Sequence, residues 1–483
     1  MSEAASSDEQ APVGAPVATS PPSGMGARLR SKFKGKDVAF WVYLASRILG
    51  GVMNVVVLRF LIQLMTRSDY GDWMYYKSVA SMLMPILTLS LPAAMMRMYF
   101  DKERSDFEGK AKLVTTVFLL SMIGVCVLIF GANILYLGGF HGHNAALYLG
   151  VVAPGSLLLG YFNYLTRVRN NYWLYFFNQL ISSVGFVALL AIAVGFLGPV
   201  RDLTSADMDR LTLTVVLFSA SVWLIVLVNL IFYARAGLLS AKVKRLNKDE
   251  IMALVRFSAP LSGTFFLGWT LSSSDMVLLG NMSTKLQVAD YALAVGIAET
   301  VTIITKSALT DWPRFYYAKM RDNPVDRDLV IAARVRRFLW MHIYVMIGVR
   351  LLAAFAYDLL DAEAYSAGLE YVDYLMLGNF FFLAGNIFAA GIGYVKKTYL
   401  TIVTFIVPGV LNVGLNLIFI PEFGARAASL TTLVSFVIFA IMSWVIGRRY
   451  YDFAEKRKLA FVIAIALVVG LFPLRQLSSL FTL

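Results

Sequence analysis

Charge is scarce in this chain. Of its 483 residues, 15% are Asp, Glu, Lys or Arg, against about 25% in soluble domains. Apolar residues fill the gap at 59%, and the mean hydropathy is +0.69. A core of this size does not hide that excess, so it faces lipid. Cysteine is nearly absent: Cys126 alone excludes an internal disulfide and a Cys-based metal site. Histidine is almost as rare. His141 and His143 form an H-x-H with no third ligand nearby in sequence, so no metal is assigned. Residues 1–36 lack the apolar stretch of a cleavable signal peptide. They begin with Ala, Pro, Ser and acids and end on Arg28, Arg30, Lys32, Lys34 and Lys36, which reads as a disordered tail with a membrane-proximal cytoplasmic anchor.

What the chain has in abundance is long apolar runs. Stretches near 20 residues match the hydrocarbon core of a bilayer. They occur at 38–62, 73–97, 112–137, 146–166, 172–197, 211–235, 251–280, 289–311, 334–357, 371–394, 398–420, 424–447 and 459–480. The runs are continuous and lack the two-residue alternation of a barrel strand. The expected fold is therefore an all-α polytopic transmembrane bundle of about thirteen spans.

The net charge of +13 would point to nucleic acid in a soluble protein. Its distribution points elsewhere. Alternate loops carry Lys102, Arg104 and Lys110; Arg167 and Arg169; Lys242, Lys244, Arg245 and Lys248; Arg314, Lys319, Arg321 and Arg327; Lys396 and Lys397; and the cluster from Arg448 to Lys458. The intervening loops are nearly bare, with Arg67, Arg201, Arg210, Lys285, Arg426 and Arg475 as their basic residues. Cytoplasmic loops are enriched in Lys and Arg, so this alternation sets the amino terminus inside and the carboxyl terminus outside a cytoplasmic membrane, without a nucleic-acid partner. The outer loops reach only about a dozen residues, which is ordinary connection length. They leave no room for the outer active site of a membrane-embedded glycan-assembly enzyme.

The chain also repeats itself. Arg97-Met98-Tyr99-Phe100-Asp101-Lys102 and Arg314-Phe315-Tyr316-Tyr317-Ala318-Lys319 both read R-x-Y-aromatic-x-K. Asp69-Tyr70-Gly71 and Asp290-Tyr291-Ala292 precede them at similar separations. Tyr164 stands before Arg167 and Arg169, and Tyr394 before Lys396 and Lys397. The reading is a tail (1–36), an N-terminal six-helix lobe (37–247), a C-terminal six-helix lobe (248–450) and an additional helix (451–483). Parallel repeats of this kind place a cavity between lobes that rock.

Later residues carry a resemblance. Leu411-Asn412-x-x-Leu415-Asn416, Ile420-Pro421-x-x-Gly424-Ala425, Ala427-Ala428 and Thr431-Thr432, closing on Arg448, resemble the LNxxLNxxLIPxxGxxGAAxAT stretch of polysaccharide and O-antigen flippases. The Asp69-Tyr70-Gly71 turn and the Arg97-to-Lys102 helix end are similar too. Those proteins belong to the multidrug/oligosaccharidyl-lipid/polysaccharide exporter superfamily. Arg426 departs from the pattern, as does the thirteenth span beyond the family's twelve. The resemblance implies a non-enzymatic flippase that moves a polyprenyl-(di)phosphate-linked oligosaccharide by alternating access, with membrane lipid around it and glycan polymerases or other assembly proteins as candidate partners. A multidrug-type exporter is the alternative within the class. A glycan-assembly enzyme or a non-transporting scaffold is the alternative outside it.

Ionisable residues within spans are costly and mark function. Arg47 lies inside span 1 with Asn54 on its face, Lys77 lies in span 2, and Glu299 and Lys306 share a polar stripe in span 8 with Thr302 and Thr310. These five are the candidate substrate-binding residues of a net-cationic cavity suited to an anionic head group. Arg59, Arg256, Asp275 and Arg350 are weaker candidates, read as sitting near span ends where side chains snorkel. No cofactor is expected; a coupling ion, H+ or Na+, is compatible with Glu299. Asn412 and Asn416 read as cross-helix hydrogen-bonding groups.

The topology is tested by single cysteines at Ser31, Asn247 and Ser478 in a Cys126→Ala background. An impermeant thiol reagent on intact cells is expected to label only the third; labelling of the first two alone would invert the assignment.

Overall fold

The computed structural model describes residues 35–91, 118, 147–169, 171–197, 210–236, 248–360, 362–395 and 397–471. Among them are α1 (Gly35–Leu64), α2 (Arg67–Leu87), α3 (Ala153–Val168, entered through a π-turn at Tyr148–Val152), α4 (Tyr172–Leu197) and α5 (Arg210–Arg235). There follow α6 (Lys248–Met282), α7 (Lys285–Asp322), α8 (Arg327–Leu359), a 3₁₀ turn (Glu363–Gly368), α9 (Leu369–Phe388), the short α10 (Ala390–Tyr394), α11 (Thr398–Gly447) and α12 (Lys456–Leu471). The described chain has no strand, and the fold is a polytopic helical bundle. Span 3, the Arg97–Lys102 repeat, Cys126, His141 and His143 lie outside the described residues.

The apolar runs anticipate the helices closely, span 5 matching α4 end to end. Two differences are informative. The expected span 2 runs to 97, but α2 stops at Leu87, two residues past Pro85, which has no N–H to give the ladder. Thr88–Ser90 then form a turn with Leu89 and Ser90 at φ 48°. Spans 11 and 12 are the two arms of α11, which folds back at Gly424.

Taken in chain order the helices form two groups, α1–α5 and α6–α12, and among the described residues α2 of the first group packs mainly on α6 and α7 of the second. In the first, α1 lies along α4, and α3 packs on α5. An asparagine triad joins three helices there: the Asn178 amide donates to Asn163 (3.2 Å) and Asn229 (3.1 Å), and Asn229 donates back (2.9 Å). In the second, α9 and α6 both pack on α11, and α12 lies against α8 and α9. The additional helix is thus an integral part of the second group. Close approach there uses small residues in place of a hydrophobic drive: Gly378 faces Phe436, Gly385 faces Phe439 and Gly470 faces Leu377.

Buried apolar residues form three clusters. One contains Leu158, Tyr161, Phe162, Val226 and Tyr233 and belongs to the first group. Another contains Trp312, Tyr316, Phe338, Phe380 and Phe439 and belongs to the second. The third joins both, from Leu64, Tyr70 and Trp73 to Val288, Tyr291, Tyr365 and Ile420. Its residues gather at the end of the bundle that carries the α1–α2 and α6–α7 turns. Among the described residues the groups therefore share a core at that end and keep separate cores toward the other.

Gly424 has φ 55° and ψ −134°, and a Cβ added there would overlap the Gln287 side chain of α7. A side chain is strained in that backbone region by about 1–3 kcal/mol and meets Gln287 as well. Gly424→Ala is expected to lower the Tm of the purified protein by several degrees, read by intrinsic fluorescence.

Candidate substrate cavity and the seam above it

The seam between the groups is built mainly by α2 against α6 and α7. Local sequence sets its start. Thr66 and Asp69 form a reciprocal capping box: the Asp69 amide donates to Thr66 Oγ1 (3.0 Å) and the Thr66 amide to Asp69 Oδ2 (3.3 Å). Gly71 then lets α2 meet the Lys285 carbonyl, where any Cβ would clash. Thr284 caps α7 by accepting from the Gln287 amide, and Gln287 Oε1 accepts from Ser283 Oγ (2.7 Å) and the Ala425 amide (3.1 Å). One glutamine thus ties the start of α7 to the fold-back of α11.

Ion pairs cross this seam. Arg67 donates to Asp290 through Nε (3.2 Å) and through Nη2 to both oxygens (2.7 and 2.5 Å). Its guanidinium lies 5.5 Å from the centre of the Tyr365 ring. Lys285 Nζ meets Asp72 Oδ2 at 2.5 Å. Below, Ser78 Oγ donates to the Ser273 carbonyl (3.1 Å) and Trp269 Nε1 donates to Ser81 Oγ (2.9 Å). Sequence reasoning missed these pairs. Arg67 and Lys285 entered it only as exceptions on a bare face. Each in fact has an acid partner, as does Arg426, whose Nε is 3.0 Å from Glu370 Oε1.

The candidate residues lie farther along the same helices. Lys77 and Ser81 are exposed one turn apart on α2. Glu299 is exposed on α7. At 1.5 Å per residue, Lys77 is ~15 Å along α2 from Arg67 and Glu299 ~14 Å along α7 from Asp290. Both stand about half a hydrocarbon thickness below the pairs. Asn54 is exposed at a similar depth on α1. Arg47 lies farther along α1 and Lys306 farther along α7, but their side chains lie outside the described residues.

The weaker candidates divide. Arg256 is exposed on α6 and Arg59 half-buried on α1. Asp275 and Arg350 do not snorkel. The Arg350 side chain is 2% exposed and donates from Nε and Nη2 to Asp373 (2.7 and 2.8 Å). Asp275 is buried between α6, α7 and α11, accepting from the Tyr291 hydroxyl, Thr432 Oγ1 (2.9 Å) and the Met276 amide (2.8 Å). The reason is geometric. Long helices such as the 35-residue α6 run past the nominal bilayer, so proximity to a span end does not bring a side chain to water. Beside Asp275, Asn412 Oδ1 accepts from Ser274 (3.1 Å) and Asn416 (3.1 Å), and Asn416 accepts from Thr431. The asparagines do bond across helices, within a larger buried polar cluster.

No family model matches the chain, and no curated protein matches by sequence. Solved structures do. Over 92% of this chain and 98% of the other, it superposes on the lipid II flippase MurJ in an inward closed conformation, with a TM-score of 0.63 and 12% identity. An inward-facing multidrug resistance MATE family transporter of the multidrug/oligosaccharidyl-lipid/polysaccharide exporter (MOP) superfamily matches 85% of this chain and 97% of its own, with a TM-score of 0.56 and 13% identity. The chain thus shares its fold with these solved transporters. A MATE protein in its straight conformation gives 0.57 and 14% over 85% and 94%.

Burial separates scaffold from site. Asp275→Ala leaves Tyr291 and Thr432 hydroxyls unsatisfied in the interior, at a cost of about 1–3 kcal/mol. It is expected to lower Tm, whereas Lys77→Ala is expected to leave Tm unchanged in the same assay.

Proposed function

We propose that the protein is a flippase that carries a polyprenyl-(di)phosphate-linked oligosaccharide from the cytoplasmic to the outer leaflet. The observation that carries this reading is Lys77, exposed at mid-depth on a seam helix of a bundle closed at one end. A cation there lowers the cost of bringing an anionic head group to that depth. Arg47, suited to bidentate phosphate contacts, and Lys306 join it on α1 and α7. The closed end is taken as the outer one, in keeping with the sparse basic residues of its loops. The prenyl tail stays in lipid while the head group uses the cavity, and the two groups rock to expose it. Glycan polymerases or other assembly proteins would receive the product.

A diphosphate head group carries about two negative charges, and each is worth about 2.3 kcal/mol per 100 mV of potential. With the interior negative, outward export of the anion is electrically downhill, while the fixed positive charge of the empty cavity shifts within the field as the carrier resets. Glu299, at the depth of Lys77, is assigned to neutralise that charge on the return. A coupling ion, H+ or Na+, is assigned to Asp275: no Lys or Arg pairs with this buried carboxyl group among the described residues, and the Tyr291 and Thr432 hydroxyls meet it. Exposed Glu299 also favours the second reading, a multidrug-type exporter of cations.

Reconstituted liposomes with an imposed potential and a fluorescent lipid-linked glycan separate the two. Lys77→Ala and Arg47→Ala are expected to abolish flipping without lowering membrane abundance. Glu299→Gln is expected to slow turnover while head-group binding stays intact or tightens. Transport of a cationic dye, lost in Glu299→Gln and retained in Lys77→Ala, would instead establish the exporter.

A further inference from the structure

The two ion pairs across the seam share a pattern. Arg67 and Asp72 lie five residues apart at the start of α2, and Lys285 and Asp290 lie five apart at the start of α7. Each helix offers its cation to the acid of the other. This register, 67 with 285 and 72 with 290, differs by three residues from that of the Asp-Tyr repeat. The result is a reciprocal exchange between the groups, like the self-complementary contact of a two-fold dimer. We propose that Arg67–Asp290 and Lys285–Asp72 form a crossed electrostatic latch that holds the two helix groups shut at this end, and that both pairs break together when this end opens.

Two features favour a latch over permanent glue. Both pairs touch solvent, with Arg67 29% and Lys285 52% exposed by side chain, so water can take over each broken bond. Separation leaves one cation and one anion on each helix, so neither side gains a net charge that would penalise the open state. Beside the pairs, the backbones approach at Gly71 and the Lys285 carbonyl, and the Tyr75 ring of α2 packs over Gly280 of α6. The 3₁₀ turn adds a shelf: Tyr365 lies beneath Arg67 and meets Tyr70 edge-on at 5.9 Å. The latch takes its purpose from the proposed transport, but its mechanics stand apart from the identity of any cargo.

The test is a distance measurement on the full chain in lipid nanodiscs. Spin labels are placed at Ser68 on α2 and Leu286 on α7 in a Cys126→Ser background. The parent is expected to give one short distance. Asp72→Asn with Asp290→Asn is expected to add a longer population several-fold above the parent. The swap Arg67→Asp with Asp290→Arg is expected to restore the short one. Asp72→Asn alone, which leaves only an exposed lysine unpaired and so folds, is expected to give an intermediate shift that 1 M NaCl reproduces in the parent by screening. Unchanged distances in the neutralised variants, or a monodisperse swap variant that stays open, would overturn the latch. A parent that moves neither glycolipid nor dye while the distances respond as described would overturn the transport reading and leave the latch standing.

Discussion

Backbone contact between α2 and α7 is the constraint on which the arrangement depends. Helices in lipid gain little from burying apolar surface against one another, because the tails are as apolar as leucine. What holds them is close packing and polar contact, and both are concentrated at Gly71, Arg67, Lys285 and Asp290. The shared apolar cluster lies around this contact, while the other two clusters belong to one group each.

The same solvent argument explains the polar side chains. Charged and polar groups within the bundle meet three fates. Arg350 is buried with Asp373 and spends its charge on structure. Asp275 is buried among hydroxyls and an amide, an arrangement that leaves a carboxylate satisfied yet without a cation. Lys77 and Glu299 are exposed on helices that also form the seam. Only the third fate is costly in lipid with no return in packing.

Much of this was legible in the sequence. Lipid imposes length and continuity on each apolar run, so α4, α5 and both arms of α11 could be read directly, and the Gly424 motif marked the fold-back. The polar stripe of α7 was read from its helical period, and of its ionisable members Glu299 is exposed while the Lys306 side chain lies outside the described residues. The seam could not, because Arg67 pairs with a residue 223 positions away and nothing local announces it. Arg350 and Asp275 were misplaced for a related reason. Distance from a span end says how deep a residue lies along one helix, whereas burial depends on which neighbours that helix meets. The crossed pairs did leave a trace, the five-residue spacing of cation and acid at 67–72 and 285–290, but only the contact gives that spacing meaning.

Depth ties the seam to the cavity. Lys77 and Glu299 stand about 15 Å beneath the ion pairs along their helices, near the bilayer midplane if the pairs lie at its surface. At that level α2 still touches α6 through Ser81 and Trp269. Farther along, the described cores no longer merge. Lys77 therefore stands beside the Ser78 and Ser81 contacts of the closed end, with the separated cores below it. Opening the seam would release Ser78 and, about three turns nearer the closed end, Arg67 from their contacts with α6 and α7.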